Sequence, residues 1–411
     1  MKKQGIIGTI ITCLVAIIAI AVIFYPQVPS QPLAIDTYAS EESVSTLSDY
    51  INDFSFDLYQ RLNINNNENL FFSPYSIFVA LAMTYEGSSN DTAEEMKNVL
   101  QFPQNNETLL CSFGRIYNLL NQHKEYTLST ANALWTQEGY PFLLNYLNFI
   151  DNYYMGKATD VDFSNAEIAA QEINQWVEKH TNGKIKDFLA GSDIHPLTKL
   201  ILTNAIYFKG DWLYQFNREY TNELDFKISP DKTVKVPMMS LSGAELNYTE
   251  NDYVQILEMP YKGEELSMII VLPKENNITD VEKIINRDVL NSWLGSFSQT
   301  NVDVSLPKFT METEYRLKEY LIDMGMQIPF TMDADFSGMT GNQDLYIEKV
   351  IHKAFVEVNE EGTEAAGATS VHVVLKSIPQ GVIFNADHPF MFLIQHKETG
   401  TILFIGKVTN P

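Results

Sequence analysis

The side chains best suited to acid–base or nucleophilic chemistry do not form a catalytic pattern in this sequence. None of its seven histidines stands at metal-ligand spacing from another. Motifs for a nucleophile elbow, a phosphate-binding loop, a dinucleotide fold and a zinc protease are all absent. Asp387 and His388 are adjacent and could form a relay, but neighbouring residues on a strand point to opposite faces. The sequence therefore predicts no enzyme, no cofactor and no metal site.

Residues 360–377 carry a different pattern and read EEGTEAAGATSVHVVLKS. One alternate set is wholly uncharged and mostly small: Thr363, Ala365, Gly367, Thr369, Val371, Val373 and Leu375. The other set holds every charged or ionisable side chain after Thr363. This period of two is typical of a strand with one buried face, although alanine, glycine and serine are poor strand formers. The segment therefore has the pattern of a strand without the usual residues of one.

The elements that must position this segment are helical early in the chain and strand-rich late. In the run SPYSIFVALAMTYEG, Ser73 caps a predicted helix, Pro74 takes its first position and Gly87 ends it. Residues 200–212 form a β-rich run, and residues 389–408 predict a hairpin of two fully buried strands. This mixture predicts an α+β fold.

Composition limits the partners of the chain. It has 411 residues, of which 45% are hydrophobic, so it can bury a large core. Lys and Arg number 28 against 52 Asp and Glu, which gives a net charge of −24. That field argues against nucleic acid and anionic membrane surfaces as partners, although solubility alone explains it. The only cysteines are Cys13 and Cys111, so no disulfide is expected within the mature domain.

The N-terminus reads as a targeting segment. Two lysines precede an uncharged run, so residues 1–25 predict either a cleaved signal peptide or an uncleaved signal-anchor. Residues 26–45 are rich in proline and serine and predict a tether, and residues 46–411 predict one domain. We expect an extracytoplasmic protein, secreted or anchored to the outer face of the cell membrane, with membrane contact only through this segment. Four sequons leave glycosylation open: Asn90, Asn106, Asn247 and Asn277.

Several stretches resemble the motifs of one family. EEGTEAAGAT (360–369) resembles the hinge of the reactive-centre loop of the serpins, the serine-protease-inhibitor fold. Other stretches that look like serpin motifs follow in the family's order: FSPYSI (72–77), TNAIYFKGDWLYQF (203–216), LPKF (306–309), YRLKEYLIDMGM (315–326), IHKAFVEVNEEGTEAAGAT (351–369) and FNADHPFMFLI (384–394). The likeness covers roughly residues 46–411.

The resemblance implies an α+β single domain with three β-sheets, about nine helices and an exposed reactive-centre loop at about 360–380. It also implies a monomeric, irreversible suicide inhibitor that traps the acyl-enzyme of a serine endopeptidase by inserting the cleaved loop into the central sheet. Small uncharged residues on the inserting face fit that mechanism, because a buried unpaired charge costs several kcal/mol. A non-inhibitory serpin that acts as a carrier or binding protein is the alternative.

The resemblance also implies roles for single residues. Alignment from Gly362 puts the reactive bond between Lys376 and Ser377, so the target is trypsin-like; a one-residue offset makes Leu375 the recognised residue. Some serpins trap cysteine proteases, which leaves the protease class open. The hinge comprises Glu360, Glu361, Gly362, Thr363, Glu364, Ala365, Ala366, Gly367, Ala368 and Thr369.

Two further sets follow from the same alignment. The gate, a polar cluster that controls opening of the central sheet, comprises Ser73, Ser76, Asn204 and His352. Trp212 matches the tryptophan beneath the loop's entry point. The helix that binds sulfated polysaccharide in some serpins has only Arg115 and Lys124 as fixed positive charges here, so no heparin-type activator is expected.

Overall fold

The structure, a computed structural model, describes residues 33–102, 107–122, 124–140, 142–363 and 381–411. The predicted signal segment and residues 26–32 of the predicted tether lie outside these residues, as do hinge positions 364–369, Leu375 and the Lys376–Ser377 bond. Within the described ranges, no helix combines the length and apolar character needed to cross a membrane.

The described residues contain ten α-helices. In chain order α1 to α10 are Glu41–Asn63, Pro74–Tyr85, Asn90–Leu100, Glu107–Asn121, Leu144–Phe149, Ala166–His180, Ile278–Ile284, Arg287–Leu294, Lys318–Asp323 and Ser337–Thr340. Helix α2 starts as the sequence predicts, because the Ser73 side chain accepts a hydrogen bond from Ser76 N and Pro74 takes the first turn.

The described residues also contain fifteen strands. In chain order β1 to β15 are Leu70–Phe72, Tyr126–Gln137, Lys157–Val161, Leu200–Asp211, Asn222–Ser229, Lys232–Glu250, Val254–Pro260, Leu266–Pro273, Ser298–Pro307, Phe309–Arg316, Lys349–Val358, Gly362–Thr363, Val382–Asn385, Phe390–His396 and Ile402–Val408. Strands β14 and β15 pair antiparallel and are buried throughout, as the hairpin prediction requires.

Helix α1 begins inside the segment predicted as a tether. Ser40 and Ser43 form a capping box at its start. Ala34 is buried, and its backbone N–H and C=O both pair with the side chain of Asn118. The compact unit therefore starts at Ala34 rather than at residue 46.

Hydrogen bonding joins the strands into two sheets rather than the three expected. The six-stranded sheet has the order β10-β11-β12-β4-β2-β3, and the nine-stranded sheet has the order β1-β15-β14-β8-β7-β6-β9-β13 with β5 beside β6. Strand β6 is the reason, because it is 19 residues long and pairs with β5 through its first part and with β7 through its last. Two smaller sheets thus become one.

The six-stranded sheet carries a hydrophobic core on each face. Helix α2 contacts β2, β4 and β15 and belongs to the larger core. Helix α6 contacts β2, and its residues Ala169, Ile173 and Val177 join a second core with Trp135. The sheet is therefore buried on both sides, and any strand added to its middle enters a packed, water-free layer.

Candidate functional site

The site is the line along which β4 and β11 pair directly, which we call the seam. These parallel strands are in register from Ile201 opposite Lys349 to Tyr207 opposite Phe355. Beyond that point β12 lies between them, with Thr363 opposite Gly210 on one side and opposite Val358 on the other. The resemblance implies a loop at about residues 360–380, but Gly362 and Thr363 are already strand residues of the sheet.

Thr363 is fully buried where it enters the seam. Its hydroxyl forms a hydrogen bond of 2.7 Å with the Tyr261 hydroxyl. The Tyr261 ring stacks on Trp212 at a centroid distance of 4.6 Å, and Trp212 is also fully buried. Trp212 therefore contacts the hinge through Tyr261, and the role that the resemblance implies for it stays a prediction.

The turn at residues 359–362 is held by several hydrogen bonds. Asn359 Oδ1 accepts hydrogen bonds from the backbone N–H groups of Glu361 and Gly362. Trp212 donates from Nε1 to the Asn359 carbonyl and from its backbone to the Glu361 carbonyl. A Cβ at Gly362 would lie 2.1 Å from Gly210 O, so only glycine fits there.

The two hinge carboxylates are buried, although composition alone would make them solvated charges. Glu360 is 4% exposed and Glu361 is 8% exposed. Lys308 Nζ lies 2.8 Å from Glu360 Oε2, the Thr221 hydroxyl donates to Glu360 Oε1, and Arg218 pairs with Glu361. Burial by itself would raise the pKa of Glu360, but the hydrogen bonds from Lys308 and Thr221 outweigh it and hold that pKa below its ordinary value.

The four gate residues meet in the middle of the seam. Asn204 and His352 are register partners across β4 and β11, and His352 Nδ1 donates to Asn204 Oδ1. His352 Nε2 accepts from the backbone N–H of Ser73, and the Asn204 amide donates to the Ser76 hydroxyl at 2.6 Å. These bonds fasten the N-terminus of α2 to both strands of the seam.

The gate is held together without charge. All four of its residues are buried, and burial lowers the pKa of His352 to about 3. A neutral ring with its proton on Nδ1 satisfies both of its neighbours, since Nε2 faces a donor. At neutral pH the seam is therefore closed by uncharged hydrogen bonds only.

Three residues of the site were missed by sequence reasoning. Asn132 on β2 accepts from Ser76 Oγ and from the Asn204 amide, and so extends the gate to a third strand. Tyr261 and Asn359 hold the hinge, as described above. Asn132 had a weak local signal, because it is an amide between two alanines, Ala131 and Ala133, on a strand; the other two had none.

The Asp387-His388 pair is a structural contact rather than a relay. The expectation that Asp387 and His388 point to opposite faces of a strand was wrong. The two residues lie in the connection between β13 and β14, and His388 Nδ1 lies 2.8 Å from Asp387 Oδ1. His388 Nε2 lies 2.6 Å from Pro273 O, so neither ring nitrogen is left to act on a substrate. Among the described residues, no group of three or more His, Cys, Asp or Glu could hold a metal ion.

Comparison with known proteins identifies this arrangement. Residues 49–411 match the family model described as Serpin (serine protease inhibitor). An uncharacterized serpin-like protein of Thermococcus kodakarensis is 46% identical over 88% of this chain and 85% of its own length. A leukocyte elastase inhibitor of Xenopus laevis is 41% identical over 90% of this chain and its whole length.

Solved structures agree with the relatives. The crystal structure of Serpin48, a highly specific serpin of the insect Tenebrio molitor, is 32% identical and superimposes with a TM-score of 0.82. The match covers 89% of this chain and 98% of that one. Sequence and structure together show that the chain belongs to the serpin family, a family of protease inhibitors and not of enzymes.

Proposed function

We propose that this protein is an irreversible suicide inhibitor of a trypsin-like serine endopeptidase outside the cytoplasm. The observation that carries the proposal is the entry of Thr363 into the seam, between β11 and β4 and fully buried. A loop whose first residues already pair with both neighbours can continue down the seam once its other end is cut. Cleavage by the target then becomes the trigger of insertion.

The register of β12 supports the proposal, because it can be extended. Position 369 is six residues after Thr363, while Asn204 is six before Gly210 and His352 six before Val358. An inserted strand would therefore bring Thr369 between the two gate residues that pair across the seam. Because side chains on a strand alternate between faces, Thr369 would lie on the same face as Thr363. Its hydroxyl would then lie where the hydrogen bond between His352 and Asn204 is broken.

The energetics favour insertion after cleavage. The new strand would pair on both sides, and its inward positions 365 and 367 carry alanine and glycine, which overpack little. The native state would then be metastable, with free energy stored in a seam that one more strand can fill. A trapped acyl-enzyme follows if insertion outruns deacylation.

Target class and location belong to the proposal. Lys376 before Ser377 suits a protease with an acidic specificity pocket, and Leu375 suits a chymotrypsin-like one. The uncharged run within residues 1–25 supports export, with the protein secreted or held at the outer face of the membrane.

Incubation with trypsin tests the function. We expect a complex that survives denaturing electrophoresis, and mass spectrometry of the released C-terminal peptide should give Ser377 as its first residue. Trypsin with a blocked active-site serine is the control and should give no complex. Only cleaved monomer with every protease of a broad panel would contradict the proposal; a carrier would in addition gain no thermal stability on loop cleavage.

A further inference from the structure

The first three residues of the compact unit, Ala34, Ile35 and Asp36, lie against the side of α4, and we call them the strap. Ala34 is buried, and its backbone N–H and C=O each form a 2.9 Å hydrogen bond with the side chain of Asn118 on α4. A Cβ at Gly114, one turn earlier on α4, would lie 2.2 Å from Ile35 O, so the glycine lets the strap approach the helix closely. The strap is therefore fitted to α4.

Asp36 adds a side-chain contact between the strap and α4. Its Oδ2 accepts a 3.2 Å hydrogen bond from Asn118 Nδ2 and lies 3.5 Å from the Arg115 guanidinium. Asn118 is 2% exposed and makes all three of these hydrogen bonds to the strap. Breaking them leaves a buried amide without partners, which is costly.

The strap connects segments that belong to different sheets. It leads into α1, where Ser48 forms a 2.7 Å hydrogen bond with Thr401, the residue before β15 of the nine-stranded sheet. On its other side the strap holds α4, which precedes β2 in the chain. The backbone N–H of Ile35 also donates to Asn152 O at 2.7 Å, in the helical turn that precedes β3. The strap therefore spans from α1 to the segments that lead into β2 and β3 of the six-stranded sheet.

Helix α4 also packs against the helix that carries part of the gate. Phe113 on α4 stacks on Phe78 of α2 with ring centroids 6.1 Å apart, and its ring lies 4.9 Å from that of Tyr154 in the turn before β3. The gate residues Ser73 and Ser76 lie at the N-terminus of the same α2. A displacement of α4 therefore reaches the gate through α2.

We propose that the strap is a second restraint on opening of the seam, in addition to the gate. Strand β2 pairs with β4 and β3 pairs with β2, so both must move with β4 when it separates from β11. Because the strap ties the segments before β2 and β3 to α1, that movement strains its hydrogen bonds. In the proposed inhibitor the restraint would keep the intact loop from inserting before a protease cuts it. That consequence rests on the proposed function, whereas the restraint itself does not.

Hydrogen–deuterium exchange of the full chain, without any protease, tests the restraint. Asn118→Ala removes three hydrogen bonds to the strap and should speed exchange of the β4 and β11 amides roughly fivefold, while exchange in the β14–β15 hairpin stays unchanged. Asn121→Ala is the matched control, because Asn121 Nδ2 donates to Tyr117 O within α4 and not to the strap. The control should exchange at the seam as the parent does.

A second variant keeps the test decisive if Asn118→Ala does not fold. Asp36→Ala removes a partly exposed side chain from the strap and should speed exchange at the seam by a smaller factor, about twofold. Equal exchange at the seam in the parent and in both strap variants would overturn the inference. Faster exchange throughout the molecule, with the β14–β15 hairpin included, would also overturn it, because that result indicates a general loss of stability.

Trypsin assays of the same variants separate this inference from the proposed function. Stable complexes in a protein whose seam exchange does not respond to Asn118→Ala would remove the strap as a restraint and leave the inhibitor. Faster seam exchange in Asn118→Ala, in a protein that forms no complex with any protease, would support the restraint and refute the inhibitor.

Discussion

The hinge and the gate lie on one seam, and different kinds of interaction hold them. At the hinge, charged side chains hold the turn: Glu360 with Lys308 and Glu361 with Arg218. At the gate, about six residues further along each strand, neutral groups hold the strands together. The hinge can use charge because its cations reach the surface, where Lys308 and Arg218 are 37% and 67% exposed.

The difference shows where the sheet is open and where it is closed. At the hinge the strands are already separated by β12, and the ion pairs hold that opening in place. At the gate the strands pair directly, and breaking the pair leaves polar groups without partners in a buried layer. We therefore predict that opening starts at the hinge and that the gate sets the resistance to it.

The largest expected effect comes from a charge on the face of the hinge that enters the sheet. Thr363→Arg places a guanidinium in a fully buried position and should cost several kcal/mol in the inserted state. We expect the protein to stay folded with its hinge expelled and to be cleaved as a substrate rather than to inhibit. Gel assays of complex against cleaved monomer measure this; inhibition equal to that of the parent would contradict our inward set of residues.

The gate and the hinge should lose stability in different pH ranges. Unfolded His352 takes a proton from pH 6.5 downward, whereas the folded gate keeps it neutral until about pH 3. The free energy of unfolding should therefore be full above pH 6.5 and fall by about 1.4 kcal/mol per pH unit below it. At pH 5 the loss is about 2 kcal/mol, measurable by urea unfolding.

The hinge responds later, because the pKa of Glu360 lies below its ordinary value of 4.5. Its contribution is full above pH 4.5 and is lost only as the pH falls through the folded pKa. His352→Gln is the control and should remove the slope between pH 6.5 and 5. A slope that persists in His352→Gln would assign the acid sensitivity to another group.

A smaller effect should follow from loosening the hinge. Tyr261→Phe removes the hydrogen bond to Thr363 while keeping the ring on Trp212, at a cost of about 1 kcal/mol. We expect a modest rise in the stoichiometry of inhibition and a shift in tryptophan fluorescence. Tyr59→Phe loses a buried hydrogen bond to Glu282, which is not part of the hinge, and should lower stability without changing stoichiometry.

The smallest effect should come from the more exposed ion pair. Arg218→Gln should cost under about 1 kcal/mol and less at high salt, because Arg218 is mostly solvated. Lys308→Gln should cost more, since it leaves the Glu360 carboxylate buried with only Thr221 beside it. Equal denaturation midpoints for the two variants would remove the distinction between the two carboxylates.

Local signals in the sequence predicted much of the fold and part of the site. The Ser73–Pro74 start of α2 and the β14–β15 hairpin follow from caps and strand patterning within a few residues. The period of two in residues 360–377 puts Thr363 on the inward face, and Thr363 is buried in the sheet; the positions after it lie outside the described residues and stay a prediction. These features depend on near neighbours, so a single sequence contains them.

What could not be predicted depends on distant partners. Glu360 reads as a solvated charge until Lys308, 52 residues away, and Thr221, 139 residues away, are placed beside it. Asn132 joins the gate only because β2 pairs with β4. The joining of two sheets through β6 and the contact of Asp387 with His388 likewise arise from a strand's length and a turn, which residue patterns did not specify.

The close approach of Gly362 to Gly210 defines the point from which the length of an inserted strand is counted. In the proposed mechanism, the pairing of Gly362 with Asp211 and of Thr363 with Gly210 sets the register of the inserting strand along β4. The distance that a captured protease would travel is then set by the number of residues from Gly362 to the cut. Shortening the loop by two residues would stop the protease about 7 Å early, and would move it without changing any contact at the hinge.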